Sequence, residues 1–203
     1  MDNGSLDETQ QVLAEELAKI PQLPIRSIRV EKNIGYGFGV MSGVHAAKGD
    51  IIAWTHADLQ TDVRDIFDGY QFFLSTENPE NTFLKGKRKN RHFLDALFTH
   101  GMAALSSIAL NKRLDDINAQ PKMFHVNFLK LMRNPPNDFS LDLYALYLAV
   151  KNNFKILEIP VCFNKRLHGE AKGGGSWKTK IRLIRRTCKY IFQLKNELLS
   201  GER

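Results

Sequence analysis

The sequence predicts an α/β fold with a mainly parallel central sheet flanked by helices, and three observations carry that expectation. Short runs of branched and apolar residues, such as Ile51-Ile-Ala-Trp-Thr55, alternate with longer stretches of helical periodicity. The first of these runs stops abruptly at His56-Ala-Asp-Leu-Gln-Thr-Asp62, so a polar cluster emerges at the carboxyl end of a strand, where open α/β sheets hold their ligands. His56 and Asp58 then point the same way. A glycine-rich stretch over 33–43 turns into an alanine-containing helix and closes on the Gly49-Asp50 turn before the next strand.

Taken in order, residues 7–19 place Val12, Leu13 and Leu17 on one face, with acids early and a lysine late, which suits a helix dipole. Pro21 and Pro24 end that helix, and the alternation over 25–30 predicts a strand. A helix over 37–48, a strand over 51–55 and a helix over 62–74 follow by the same reasoning. Asn78-Pro-Glu-Asn81 is a turn and 82–85 a short strand. The helix over 93–110 lacks a clean polar face and is expected to be largely buried or pressed against a second hydrophobic surface. A strand at 122–125, a helix over 139–151 and a strand over 155–163 complete the sheet. Pro160 assigns that last strand to an edge or a bulge.

The chain has 203 residues, of which 43% are apolar, enough for one globular domain and too many for disorder. We read 1–175 as that domain and 176–203 as a basic amphipathic helix following the glycine-rich loop 168–177. Cys162 and Cys188 are too few and too far apart for a disulfide framework or a zinc site, and are expected to be buried or half-buried thiols in a reducing, cytoplasmic compartment. No apolar run spans a bilayer, and no basic segment with an apolar signal core begins the chain. The net charge of +7 is concentrated over 85–91 and 165–189, which suits phosphates, an anionic lipid surface or nucleic acid, so a basic nucleic-acid-binding protein is one alternative reading. Nucleic acid is not expected: the aromatic and arginine interleaving of single-strand binders and a helix-turn-helix spacing are both missing.

Asp2-Asn-Gly-Ser-Leu-Asp-Glu-Thr9, Asn33-Ile-Gly-Tyr-Gly37, the Gly49-Asp50 turn and His56-Ala-Asp-Leu-Gln60 occur in that order. In order and spacing they resemble the family-two glycosyltransferases of GT-A type, especially the dolichyl- and polyprenyl-phosphate sugar transferases. Those carry Asp-Asp-Gly-Ser-x-Asp-x-Thr, Asn-x-Gly-x-Gly, Gly-Asp and Asp-x-Asp-x-Gln segments. The resemblance implies a GT-A-like nucleotide-sugar-binding fold and transfer of a sugar from a nucleotide-sugar to a polyprenyl-phosphate or glycan acceptor, with inversion and a divalent cation, manganese or magnesium. A basic carboxyl-terminal helix over 179–199 suits peripheral contact with an anionic membrane, at its cytoplasmic face. The family's preceding strand, which ends in a Pro-x-Tyr-Asn-Glu-like segment, has no counterpart after Met1, so a truncated amino terminus is expected.

Residue by residue, Asp58, His56, Gln60 and Asp62 offer oxygen and imidazole ligands for a cation, or form a polar loop that caps the next helix at Asp62. The resemblance assigns Asp58 to the metal-binding carboxylate. His56 replaces the usual first aspartate, as a metal ligand or a ribose contact. Asp2 aligns with a nucleotide-contacting position, while Asp7 or Ser5 caps the following helix. Asn33 and Gly37 lie beside the nucleotide in the family, although close packing of a helix also explains the glycines.

Arg88 and Arg91, after a strand, present forked donors to an acceptor phosphate. Asp116, followed by Ile-Asn-Ala-Gln-Pro-Lys122, resembles a stretch that faces sugar and acceptor. Asp142 serves as general base toward a hydroxyl acceptor, or caps its helix. Arg166, His168 and Lys172 resemble the loop that closes over the diphosphate, with Ala171 in place of the family's serine. An inactive remnant acting as an interaction module is the competing reading, and titration with nucleoside diphosphates separates the two.

Overall fold

Alternating apolar and polar residues build four short strands, and the helices between them bury one stripe each against the sheet. The computed structural model describes residues 1–58, 60–89, 93–164 and 177–199. The elements are α1 (Thr9–Ala18), α2 (Tyr36–Ala46), β1 (Ile51–Trp54), α3 (Arg64–Leu74), β2 (Thr82–Lys89), α4 (Phe93–Leu110), β3 (Lys122–His125), α5 (Leu141–Lys151), β4 (Lys155–Cys162) and α6 (Trp177–Leu199). Short 3-10 turns cover Pro79–Asn81 and Val126–Leu131.

The sheet runs β1-β3-β2-β4. β1, β2 and β4 share one direction and β3 runs against them, so the sheet is mixed and flanked by helices, as an α/β fold requires. Because β3 is reversed, its first residue Lys122 lies beside Trp54 at the carboxyl end of β1 and beside Lys85 midway along β2. Pro160 falls on β4, at the sheet edge, where a missing N–H breaks no ladder.

The pleat sorts the two cores. On one face Ile52, Phe83 and Phe124 pack with α5 and with Tyr190, Ile191 and Leu194 of α6. On the other, Leu84, Met123, Leu157, Ile159 and Val161 pack with Phe73 of α3. α5 is buried from Leu141 to Ala149, which explains its almost uniformly apolar sequence.

Three expectations need correction. Residues 25–30 form no strand; only an isolated parallel bridge joins Asp2 to Arg29, through Asp2 N–H to Ile28 O (2.7 Å) and Val30 N–H to Asp2 O (3.0 Å). Alternation makes a strand only where a neighbour supplies a ladder, and here Asp2 alone supplies it. Cys162 is exposed, at the end of an edge strand, while Cys188 is half-buried. α4 packs Ala103 and Leu110 inward against the core it shares with α6, yet leaves Leu97 and Ile108 at 57% and 80% exposure. Its lack of a polar face therefore reflects an open apolar side and not full burial. α1 forms as expected but buries no residue; the Asp7 carboxylate accepts from the Thr9 amide at 3.1 Å and so caps it.

Candidate active site

Sheet register sets a row of charged residues next to the apolar core. Trp54, Lys122, Lys85 and Glu158 form one row across all four strands, directly beyond the apolar row Ile52, Phe124, Phe83 and Ile156. Lys122 is completely buried, and Lys85 is 1% exposed. Buried ammonium groups must be paired. Lys122 Nζ lies 3.3 Å from Asp142 Oδ1 and donates to the carbonyls of Ile117 (2.7 Å) and Ala119 (3.0 Å). Lys85 Nζ lies 3.0 Å from Glu158 Oε1, and Lys87 reaches Glu158 Oε2 at 2.7 Å. Burial pushes the Lys122 ammonium below the ordinary lysine range, opposed by the Asp142 charge. Burial pushes Glu158 up, but its bonds to Lys87 and Lys85 outweigh this and hold it below the usual carboxylate range.

Asp142 sits in the first turn of α5 and is buried, so it does not solvate that helix. Besides Lys122 it accepts from Trp54 Nε1 and from Tyr36 Oη, each at 3.3 Å. Gln120 Nε2 donates in turn to Tyr36 Oη. Burial, then the Asp142 charge, pushes the Tyr36 phenol far above its usual range, so it remains a donor. Asp142 is thus a carboxylate fixed by three donors from β1, β3 and α2.

Arg88 spends its fork on Asp116: Nε donates to Oδ1 at 2.8 Å, a terminal nitrogen donates to the same oxygen, and the Arg88 amide donates to Oδ2 at 2.7 Å. Asp116 holds a left-handed backbone (φ 37°), which costs about 1 kcal/mol for a non-glycine residue. Burial pushes the Asp116 carboxyl up, but the Arg88 bonds and charge prevail and hold it below the usual range. The Arg88 guanidinium also lies over the Phe163 ring, 5.6 Å from its centroid.

His56 shares the Phe163 ring with Arg88. Its ring meets Phe163 edge-on at 6.1 Å, and it feels the charges of Asp58, Asp142, Arg88 and Lys122. Burial lowers the imidazole below its ordinary value, against the pull of Asp58, which favours the neutral form that ligates metals. Asp58 Oδ1 accepts from the Gln60 amide at 3.2 Å. Gln60 clamps this loop to the end of β4, its carbonyl accepting from Asn164 N–H (2.8 Å) and its Nε2 donating to Asn164 O (3.2 Å). Asp62 is drawn elsewhere: it caps α3 at the Arg64 amide (2.9 Å) and pairs with the Arg64 guanidinium at 2.8 Å. Among the described residues no group of three histidine, cysteine or acidic side chains is placed to hold a metal ion. His56 and Asp58 supply an imidazole and a carboxylate, a donor pair that suits manganese or magnesium when phosphate oxygens and water complete the shell.

The amino-terminal residues form a neighbouring cluster. Asp2 is buried, accepts from the Ser5 amide at 2.9 Å and lies 3.6 Å from Arg29 Nε. Its Oδ2 is buried without a hydrogen-bond partner. Asn3 Nδ2 donates to the Gly35 carbonyl (3.0 Å) and reaches Asn33 Oδ1 (3.4 Å). Gly37 makes room for protein: a Cβ there would lie 2.1 Å from the Pro136 carbonyl. Arg91, Arg166, His168 and Lys172 lie outside the described residues. Tyr36, Trp54 and Gln120, the partners around Asp142, were not read from the sequence; Tyr36 is 106 residues from Asp142 and Trp54 is 88, separations with no local signal.

The family model of glycosyl transferase family 2 matches residues 1–133, which include β1, β2 and β3 but not Pro136, Asp142, Glu158, Phe163 or Asn164. The chain belongs to glycosyl transferase family 2. Among curated relatives, this family 2 chain is 27% identical over 179 residues to a dodecaprenyl-phosphate galacturonate synthase of Rhizobium johnstonii, covering 86% of the chain and 51% of that protein. It is 23% identical over 172 residues to a dolichyl-phosphate beta-glucosyltransferase of Dictyostelium discoideum, covering 79% and 53%. The chain therefore spans about half the length of these relatives. Glucosyl-3-phosphoglycerate synthase from Mycobacterium tuberculosis, solved with Mn2+ and UDP-glucose, superposes with a TM-score of 0.56 at 15% identity, covering 84% of this chain and 60% of that one. That likeness establishes a shared GT-A fold.

Proposed function

We propose that this family 2 chain transfers a glycosyl group from a nucleotide-sugar to a polyprenyl-phosphate acceptor, with inversion and with a divalent cation at Asp58 and His56. One observation carries the reading: His56, just past the carboxyl end of β1 with Asp58 two residues on, shares the Phe163 ring with Arg88 and feels the charges of Asp58, Asp142, Arg88 and Lys122, where Lys122 pairs with Asp142 and Arg88 with Asp116. The cation, when bound, neutralises charge on the leaving nucleoside diphosphate. The relatives named for lipid-phosphate acceptors support that acceptor class.

Within this reading the chain's own groups divide the work. Asp2 and Asn33 line the nucleotide side, with Gly37 and Gly35 letting α2 approach closely. Gln60 holds the metal-binding loop in place. Asp142 fixes Lys122, Tyr36 and Trp54 around the sugar subsite, and needs to remove no proton because a phosphate acceptor is already ionised. Asp116 orients Arg88, whose remaining donor capacity, with Arg91, meets the acceptor phosphate. Arg166, His168 and Lys172 contact the diphosphate. On α6, Arg185, Lys189, Phe192 and Lys195 are exposed together, a composition suited to an anionic membrane surface at the cytoplasmic face, and among the described residues no helix is long and apolar enough to cross a membrane.

The test is to incubate the protein with Mn2+, a panel of UDP- and GDP-sugars and a short-chain polyprenyl phosphate, and to look for the glycolipid by mass spectrometry. A glycolipid formed by the parent and lost in Asp58→Ala supports the reading. Folded protein that yields none with any donor in the panel overturns it.

A further inference from the structure

α6 reaches the Asp142 cluster through a chain of contacts. Arg186 Nε lies 3.1 Å from Asp138 Oδ2, and its guanidinium carbon stands 5.3 Å from the centroid of the Phe139 ring. Phe139 stacks on Tyr36 with centroids 4.8 Å apart and planes 9° from parallel. Tyr36 Oη donates to Asp142 Oδ2. The loop between is braced from the other side: Phe38 N–H donates to Asn137 O at 3.1 Å, and Gly35 and Gly37 let α2 press on 136–138.

We infer that Arg186 is a positioning residue for the Tyr36–Asp142 pair, holding Phe139 flat against Tyr36 from a helix on which Arg185, Lys189 and Lys195 are exposed. The inference rests on reading the Asp142 cluster as the reaction site. Magnitudes decide what kind of role this is. Arg186 and Asp138 are 41% and 34% exposed, and a pair in that setting is screened by water and contributes little to folding. A half-exposed cation over a ring is likewise a weak contact. Neither is large enough to hold the fold, but both act on one ring. Phe139 is itself 44% exposed, so removing the guanidinium is expected to expose the ring further and loosen its stack on Tyr36.

The experiment has two arms. Trp54 and Trp177 are the two tryptophans of the chain, so Trp177→Phe leaves fluorescence that reports on the indole bonded to Asp142. In that background Arg186→Ala and Phe139→Leu are each expected to shift the Trp54 emission, with the double variant no different from either single one. Arg186→Lys, which keeps the charge for Asp138 but not the planar stack, is expected to shift it as well. Unchanged emission in Arg186→Ala, or additive shifts in the double variant, overturns the inference. In the second arm, glycosyl transfer by Arg186→Ala is expected to fall roughly tenfold in kcat with donor KM within twofold. A change confined to KM, or to melting temperature, also overturns it. A parent that transfers no sugar removes the proposed function while leaving the fluorescence arm to judge the contacts.

Discussion

Lys122 Nζ stands 3.3 Å from Asp142 Oδ1 with the lysine completely buried and the aspartate 3% exposed. Two charges withdrawn from water in this way hold each other in place; Trp54 and Tyr36 donate to Asp142, and Lys122 donates to two backbone carbonyls. The pair joins the reversed strand β3 to the first turn of α5 and so sets the floor of the site.

Removing one partner leaves the other charged and buried. Lys122→Met is expected to destabilise the protein by about 3–5 kcal/mol in urea unfolding, while Lys122→Met combined with Asp142→Leu recovers much of the loss. A single variant as stable as the parent would show that the pair carries no structural weight.

The Arg88–Asp116 pair gives a signed pH dependence. Burial opposes ionisation of Asp116 but Arg88 prevails, so its folded pKa lies below the ordinary 3.8. The stabilisation is therefore complete above the unfolded value and disappears as pH falls through the folded one. Asp116→Asn should be less stable at neutral pH, by about 3 kcal/mol, and its melting temperature should fall less steeply than the parent's below pH 4. Equally steep acid limbs would contradict this assignment. Arg88→Ala is expected to lose comparable stability, an effect separable from any rise in acceptor KM.

On the proposed reading Asp58 serves binding and not folding: it lies in a loop and its charge acts on His56. Calorimetry with UDP or GDP and Mn2+ should detect binding to the parent and none to Asp58→Ala, with identical circular dichroism. Equal affinities would remove the metal from Asp58.

Gly86 lies where β2 passes the loop before β3. Its N–H donates to the Pro121 carbonyl at 2.8 Å, and an added Cβ would stand 2.2 Å from the Gln120 carbonyl. Gly86→Ala should therefore push Gln120 away from Tyr36 and destabilise by about 1–3 kcal/mol, read from thermal melts. A neutral substitution would mean that the loop yields without strain.

The sequence by itself determined the α/β class, most element positions, the edge placement of β4 through Pro160 and the strand-end position of His56 and Asp58, because periodicity and proline act locally. It also carried the motif order that points to the family. Only the tertiary structure decided that β3 runs against its neighbours and that 25–30 pairs through Asp2 alone. It also decided what surrounds Asp142. A buried carboxylate takes whichever donors the packed strands deliver, and Tyr36, Trp54 and Lys122 reach it from three separate elements, so no sequence spacing records their meeting.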